Sequence, residues 1–551
     1  MKKTIFILIA GLTIGFSSCG NEPVDNPKHD NKSVGLNFDI VEEEFDSIDW
    51  NKTRTLSKPV SHEYVDLGNG IEGEVQIFEA GSHPKPRTRA IVNKHYSIRA
   101  YQGGVLKGSM KGTFNGSTFT PDASSATKMI LEPGTYDFVC YNDKFQEVGN
   151  NLELNVNDAK DAFFGQTSQS IYGTQSKVAF QMRHACSRLS IQLQTYGKLL
   201  PGATASIYPV NSNGPTKLVY VASTNSFSQT SGTISPSTIS YSGAEITGSN
   251  MQGWATPDKY IYYTPGVDIS NLRMKFTSGT FGDGRNLSDA KPIGFKSGDP
   301  SYGNIMGLNK NYQMTILLWA KLKYLFSDGT SGYLTDNPTK SRIGLVIRDK
   351  TASSKGLAMA LQNTTKYNNN EYPDQNPPGG KYNSTTYSTV ASLVNDMDGE
   401  KWTWEPSGNT DGIFRANDQT NFNIYYEAAH YDPGVPVASN IRWFLPSAGQ
   451  WIEAYTVMSK QCGYPIDWSG ITNWGTRITF SMAIHQYFTR YFPINTYNAI
   501  GRMIFGNYAT STQYAPGIYA TLEIEPYDRN RLTFKSYYWP AYAAIRPFTH
   551  F

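Results

Sequence analysis

At 551 residues the chain has room for about three or four domains of ~150 residues each. Its 49 basic and 46 acidic residues nearly cancel, to a net charge of +3, which removes any strong electrostatic draw toward nucleic acid or an anionic membrane. Charged residues make up only 17% and aromatics 13%, with 36 Tyr, 49 Gly and 29 Pro, a mixture that suits β-sandwiches and long ordered loops and argues against helical bundles.

The chain begins with Lys2 and Lys3, followed by an apolar run from Ile5 to Phe16 that is too short to span a bilayer. Phe16-Ser17-Ser18-Cys19 comes next, with the polar Gly20-Asn21-Glu22-Pro23 behind it. Residues 1–19 thus resemble a bacterial lipoprotein signal, in which the Cys19 thiol is lipidated and becomes the new N-terminus. Phe16 stands where that motif usually has Leu. An ordinary secretory signal that contains a cysteine is the other reading, and both imply export. No later apolar run is long enough for a transmembrane helix, so membrane attachment is expected through the lipid.

Besides Cys19 the chain has Cys140, Cys186 and Cys462, an odd number that argues against a disulfide framework. Cys140 and Cys186 lie in strand-like apolar runs and read as two buried thiols in preference to one bridge. No spacing suits a structural zinc site, and neither a metal nor a cofactor is expected.

Residues 20–32 are a polar tether without periodicity. Ser33 to Ile40 then alternates at period two, so that Val34, Leu36, Phe38 and Ile40 face one side of a half-buried strand, which the acidic run Glu42-Glu43-Glu44 is expected to end. From about residue 71, runs such as Glu74 to Phe78 and Tyr96 to Tyr101 alternate with Gly/Pro/Asn clusters. Pro133-Gly134 marks a turn, after which Tyr136, Phe138 and Cys140 share a strand face. These features predict a first β-sandwich over 33–190. Strands expected at 205–210, 217–221, 259–264, 271–277 and 312–319 predict a second over 191–320, with exposed hairpins and loops in the Ser/Thr/Gly-rich 223–250.

The grammar changes from about residue 321. A strand at Ile343 to Ile347, a long Asn/Pro/Gly/Tyr loop over 363–385, helices expected at Tyr387 to Met397 and Ser447 to Lys460, and strands at 517–525 and 531–536 predict a compact α+β domain over 321–551.

Two sets of motifs resemble known families. The first third is similar to the fimbrillin-like (type V pilus) proteins of Bacteroidales, through the lipoprotein signal, the early alternating strand and Arg87-Thr88-Arg89-Ala90 ahead of the Tyr-x-Ile-x-Ala-Tyr strand. Residues 133–138 (Pro-Gly-Thr-Tyr-Asp-Phe) and 183–189 (Arg-His-Ala-Cys-Ser-Arg-Leu) complete that pattern. The last third resembles a Fibrobacter-type repeat domain, related to C-type-lectin-like and formylglycine-enzyme-like folds. It carries Phe326-Ser327-Asp328-Gly329, Asp396-Met397-Asp398-Gly399, Trp443 to Trp451, Tyr508 to Thr512 and Ile545-Arg546-Pro547-Phe548 in that order.

The resemblance implies a mainly β chain of two tandem transthyretin-like β-sandwiches followed by a lectin-like α+β domain. It implies a pilus subunit or related adhesin, carried to the outer membrane as a lipoprotein and then incorporated into the fimbrium. In that family a trypsin-like protease cuts after an arginine, removes the first strand, and opens a groove for a neighbour's strand. Arg54 and Arg89 are the candidate cleavage sites, and the exchanged strand is Val34, Leu36, Phe38 and Ile40. Both arginines as plain exposed loop residues is an equally weighted reading. The expected partners are other pilus subunits and a host or bacterial surface glycan or protein, with no nucleic acid. A bulky C-terminal domain would obstruct a polymerising end, which suggests a tip or accessory subunit. The other function carried forward is a lipid-anchored, glycan-binding lipoprotein that never polymerises.

An enzyme is not expected. Formylglycine-type chemistry needs paired cysteines, and the last domain has only Cys462. Calcium-dependent sugar binding finds only Glu405-Pro406-Ser407 near its signature, and Asn395 to Glu400 reads as a turn that ends a helix instead of a calcium loop. His430, His485 and His550 come without a nucleophile motif. Better ligand candidates are the tyrosines among amides and prolines, Tyr367, Tyr372, Tyr382 and Tyr387, for which packing is an equally weighted reading, with Trp402, Trp404, Trp468 and Trp474 as further possibilities against the alternative that most tryptophans are core. Trp443 and Trp451 are expected in the core.

Overall fold

The computed structural model describes residues 34–45, 61–79, 93–172, 175–246, 252–295, 304–364, 381–479, 506–525, 531–537 and 543–551. The chain is mainly β, built as packed sheets. Its first strands are β1 (Val34–Glu42), β2 (Ser61–Gly68), β3 (Ile71–Glu79), β4 (Lys94–Gln102), β5 (Val105–Phe114) and β6 (Phe119–Pro121). They continue with β7 (Ile130–Leu131), β8 (Gly134–Asn142), β9 (Gln146–Val148), β10 (Asn151–Asn155), β11 (Phe163–Ile171) and β12 (Gln175–His184).

Eight of these form one sheet in the order β6-β5-β4-β8-β11-β12-β1-β7. The sheet curls until its ends meet, with β6 beside β1 and β7 beside β5. The approach of β6 to β5 is close enough that a Cβ on Gly112 would lie 2.2 Å from the Thr120 carbonyl oxygen, so only glycine fits there. Inside the curl lie Leu36, Phe38, Ile40, Ile98, Phe138, Cys140 and Phe180.

Next in the chain are β13 (Ser187–Thr195), β14 (Ala203–Pro209), β15 (Asn213–Val221), β16 (Ser226–Thr233), β17 (Ser237–Tyr241) and β18 (Gly253–Ala255). Then come β19 (Ile261–Tyr263), β20 (Leu272–Ser278), β21 (Thr280–Phe281), β22 (Arg285–Asn286), β23 (Ile293–Gly294) and β24 (Asn311–Ala320). A sheet β18-β13-β24-β3-β2, with β19 also on β13, packs against a sheet β17-β14-β20-β23.

Sheet membership does not follow chain order. β3 precedes residue 190 yet pairs with β24, and β2 joins the same sheet through β3. Conversely β15, from the stretch expected in the second sandwich, pairs with β10 and β16 in a four-stranded sheet that covers the outer face of the first unit. Its Leu218 and Tyr220 pack there with Tyr141, Leu152 and Phe164. The physical reason is burial: Val75 and Ile77 find apolar partners on β24, whereas Leu218 and Tyr220 find theirs beside Tyr141.

The last part combines a six-stranded sheet (Lys323–Phe326, Ser331–Tyr333, Arg342–Arg348, Leu357–Ala360, Arg442–Phe444, Phe548–His550) with a five-stranded one (Arg477–Thr479, Gly506–Ala515, Ile518–Glu525, Arg531–Tyr537, Ala543–Ala544). Helix Ala448–Gln461 packs its buried Trp451, Ala454, Tyr455 and Met458 against them. At its start the Gln450 side chain accepts the Ser447 backbone N–H at 2.9 Å, half of a capping box. This part adjoins the second unit, where Lys198 N–H donates to the Cys462 carbonyl at 2.8 Å and Ile246 N–H to the Tyr464 hydroxyl oxygen at 2.6 Å.

Two expectations change here. The helix expected over Tyr387 to Met397 is only Val390–Leu393, capped reciprocally by Thr389 and Ser392, because the chain must turn to bury Asp396. Trp402, one of the possible ligand aromatics, is instead fully buried, with its indole N–H donated to the Asp396 carboxylate at 3.0 Å. Trp443 and Trp451 are in the core. Among the described residues, no helix is long and apolar enough to cross a membrane.

Candidate functional site

Because β1 alternates at period two, Leu36, Phe38 and Ile40 all enter the curl while Asn37 stays exposed. Phe38 meets Phe119 edge-on at 5.8 Å and lies 6.4 Å from Phe180. Burying three such side chains is worth roughly 5–9 kcal/mol, at ~1.5–3 kcal/mol each. Val34 pairs with Leu131 through its backbone.

The hydrogen-bonding of β1 is lopsided. On one side it runs parallel to β12 from Gly35 opposite Gln175 to Glu42 opposite Met182. On the other, β7 pairs only with Val34 and Gly35, with one more bond from Leu36 N–H to the Met129 carbonyl at 3.2 Å. β12 is equally dependent. Its pairing with β11 is confined to Arg183 and His184, so among the described strands β1 is its ladder partner from Gln175 to Met182.

The far end of β1 is latched. The strand runs on through Glu42, where the acidic run was expected to stop it, because the buried Glu42 carboxylate accepts hydrogen bonds from the Tyr96 hydroxyl at 2.5 Å and from Lys94. Burial, and then the Glu42 charge, push the Tyr96 hydroxyl pKa up. Ion pairs join Asp39 to Lys177 at 2.8 Å and Glu43 to Arg183 at 2.9 Å on the surface. Phe45 is buried against the His184 ring, and burial, Arg188 and Lys94 pull the His184 pKa down to about 3. Glu42 and Phe45 were invisible as site residues in the sequence. The partners of Glu42, Tyr96 and Lys94, lie more than 50 residues along the chain from it, so no local signal reveals them.

Cys19, Arg54, Arg89, Tyr367 and Tyr372 lie outside the described residues, as does His485. By position, Arg54 falls between β1 and β2, and Arg89 between β3 and β4. Cys140 and Cys186 are free and buried, Cys140 inside the curl and Cys186, just after β12, in the cluster on the outer face. Burial raises both thiols, Cys186 to about 12, so neither is a reactive thiolate at neutral pH.

The two described tyrosines of the candidate ligand loop are tied into the last unit. The Thr410 N–H donates to the Tyr382 carbonyl at 2.8 Å and the Tyr382 N–H to the Thr410 hydroxyl oxygen at 2.9 Å, and Tyr387 N–H donates to the Gln513 carbonyl at 2.9 Å. Both are half-buried, and burial, Asp396 and Asp398 together push the Tyr387 hydroxyl up. Trp404 donates to the Trp443 carbonyl at 2.7 Å, Trp468 to Thr456 at 2.8 Å, and Trp474 packs edge-on against Tyr514. Among the described residues no cluster of His, Cys, Asp and Glu is arranged to hold a metal ion.

No family model matches the chain, and no curated protein does. Solved structures similar to it include a proposed cell adhesion protein from Bacteroides uniformis, 17% identical, covering 41% of this chain and 86% of that one with a TM-score of 0.28. The fimbrial anchor protein Mfa2 from Porphyromonas gingivalis is 8% identical over 57% of this chain and 96% of its own, with a TM-score of 0.24. A fimbrial protein from Bacteroides ovatus is 11% identical over 95% and 100%, with a TM-score of 0.20. Values this low record a likeness and decide nothing about this chain.

Proposed function

We propose that this chain is a cell-surface fimbrial subunit, of tip or accessory type, that is assembled by giving up β1 and accepting a strand from a neighbouring subunit. The observation that carries the proposal is the mutual dependence of β1 and β12. Without β1, β12 would keep no described ladder partner from Gln175 to Met182, and the pockets of Leu36, Phe38 and Ile40 would open to water. An incoming strand with the same apolar period restores both the backbone bonds and the burial.

The strand order separates the two candidate arginines. A cut after Arg54 frees β1 alone. A cut after Arg89 would also free β2 and β3, and β3 lies between β24 and β2 with Ile71, Val75 and Ile77 buried. Arg54 is therefore the proposed processing site. Residues 321–551 are the proposed lectin-like adhesive part, directed at a surface glycan or protein, and Cys19 the lipid site that stages the precursor at the outer membrane.

N-terminal sequencing and intact mass of protein recovered from cell surfaces test the reading. A start at Thr55 supports it. A mature protein that still begins at a lipidated Cys19 overturns it and leaves a permanently anchored lipoprotein.

A further inference from the structure

The outer face of the second unit carries a cleft whose lining includes no residue of β1. On β13 and β24, Leu189, Ile191 and Met314 point into the core, so the alternation places Ser190, Gln192 and Gln313 outward as a polar floor. Gln313 donates its amide N–H to the Gln192 side-chain oxygen at 2.9 Å. That bond fixes both amides and leaves the Gln192 nitrogen and the Gln313 oxygen as a neighbouring donor and acceptor.

Trp254 of β18 and residues 256–260, which link β18 to β19, raise a wall beside this floor and enclose about 550 Å³. Two large aromatic rings stand in that wall although neither is buried: Trp254 is 49% exposed and Tyr260 42%. Trp254 lies opposite Gln194, and Ile261, next to Tyr260, opposite Leu189, so the backbone positions that carry the two rings are about four strand residues apart, roughly 14 Å along β13 at ~3.4 Å per residue. Tyr260 is pre-positioned by the Arg188 guanidinium, 4.3 Å from its ring centre. Asp258 is held by the Ser240 N–H at 2.9 Å and the Ser240 hydroxyl at 3.0 Å, and Lys259 beside it balances its charge.

Rings at either end, a floor of neutral amide and hydroxyl groups and one acid against one base in the lining match one ligand chemistry, the Arg188 guanidinium being held between the Tyr260 and Phe45 rings outside that lining. An anion would need surplus cations, and a purely apolar ligand would strand the amides. We propose that this cleft binds a neutral oligosaccharide, its apolar sugar faces stacked on Trp254 and Tyr260 and its hydroxyls bonded to Ser190, Gln192 and Gln313. The ring separation suits a chain of sugars better than a single pyranose. None of the lining residues belongs to β1, and the unprocessed subunit keeps Phe45 against Arg188, so an unpolymerised subunit must show the site.

The test is an array of neutral hexasaccharides from the glucan, mannan, xylan and galactan series, with oligogalacturonate as the acidic control, probed with the purified full-length chain. Calorimetric titration of the best binder follows. Trp254→Ala and Tyr260→Ala are each expected to weaken it at least tenfold, while Tyr172→Ala, an exposed aromatic of the first unit, leaves it unchanged. Both cleft rings are exposed enough for the variants to fold, which an unchanged melting temperature verifies. The inference is overturned by an array with no neutral binder, by binding of the acidic control alone, or by a titration that both variants leave unaltered.

Discussion

Phe45 lies flat on His184, ring centres 3.8 Å apart and planes 10° from parallel. The Arg188 guanidinium covers Phe45 at 4.4 Å and Tyr260 at 4.3 Å, so one arginine touches both the latch of the first strand and the wall of the outer cleft. The stack ends the segment that begins with β1, after Glu42 has bonded to Tyr96 and Lys94. Apolar burial holds the body of the strand and a polar and aromatic clasp holds its end.

The clasp makes the first unit acid-sensitive. Burial, with Arg188 and Lys94 nearby, holds the His184 pKa at about 3, well below its ordinary 6.5. As pH falls below 6.5 the unfolded chain takes a proton that the folded one refuses, so stability declines between about 6.5 and 3, by up to ~1.4 kcal/mol per pH unit for one proton. Between pH 6.5 and 5, above the range of ordinary carboxylates, His184→Phe should keep the stack and flatten this slope. Urea unfolding of both proteins across that window is the measurement, and parallel curves would refute the assignment.

The alternation of β1 predicts a matching alternation of mutational cost. Phe38→Ala empties a space bounded by Phe119 and Phe180 and should cost about 3–5 kcal/mol, and Leu36→Ala or Ile40→Ala about 2–5. Asn37→Ala, on the exposed side, should stay within about 0.5 kcal/mol. Denaturant midpoints of the unprocessed protein decide; a similar loss at Asn37 would mean that the strand is not seated on its Leu36 face.

Local pattern made part of this readable in advance. The period-two run at Leu36, Phe38 and Ile40, the shared face of Tyr136, Phe138 and Cys140, and the Ser447 helix start follow from residues a few positions apart. What was not readable is long-range. Nothing local to Phe38 tells that it will sit opposite Val178, or that Ile77 will pair with Met314 in another unit. The motif around Ser447-Ala448-Gly449 was visible but its reason was not: a Cβ on Gly449 would fall 2.4 Å from the Asp396 carbonyl oxygen, so the helix start and the acidic turn need each other. The outer cleft is not legible in the sequence, because Ser190 and Gln313 meet only when β13 and β24 pair in parallel.

Strand order predicts which arginine matters. Arg54→Ala should leave the precursor at full size and keep it out of fibres, whereas Arg89→Ala should be processed normally. Blots of surface fractions read the size, and immunogold labelling reads the position. Label at fibre ends fits a tip subunit, and label spread evenly along the fibres would sink that placement.

In the last unit Asp396 is the residue on which three segments converge. Its carboxylate is wholly buried and accepts from Trp402 at 3.0 Å, from the Asp398 backbone N–H at 3.0 Å and from the Thr512 hydroxyl at 2.6 Å. Burial nonetheless wins, and the Asp396 pKa lies above its ordinary value. The folded state therefore binds this proton more readily than the unfolded one, so the group contributes stability below pH 3.8 that is lost as pH rises through its folded value. At neutral pH the buried charge is thus partly unfavourable, and a neutral group of the same shape should be tolerated. Asp396→Asn keeps an acceptor for Trp402 and the Asp398 N–H, and the Thr512 hydroxyl can rotate to accept from the new amide. Its cost should be under about 1 kcal/mol, while Asp396→Ala, which strands all three donors, should cost about 3 kcal/mol or more. Thermal unfolding at pH 7 compares them. Equal destabilisation by both substitutions would show that the charge itself, and not the acceptor geometry, holds the three segments together.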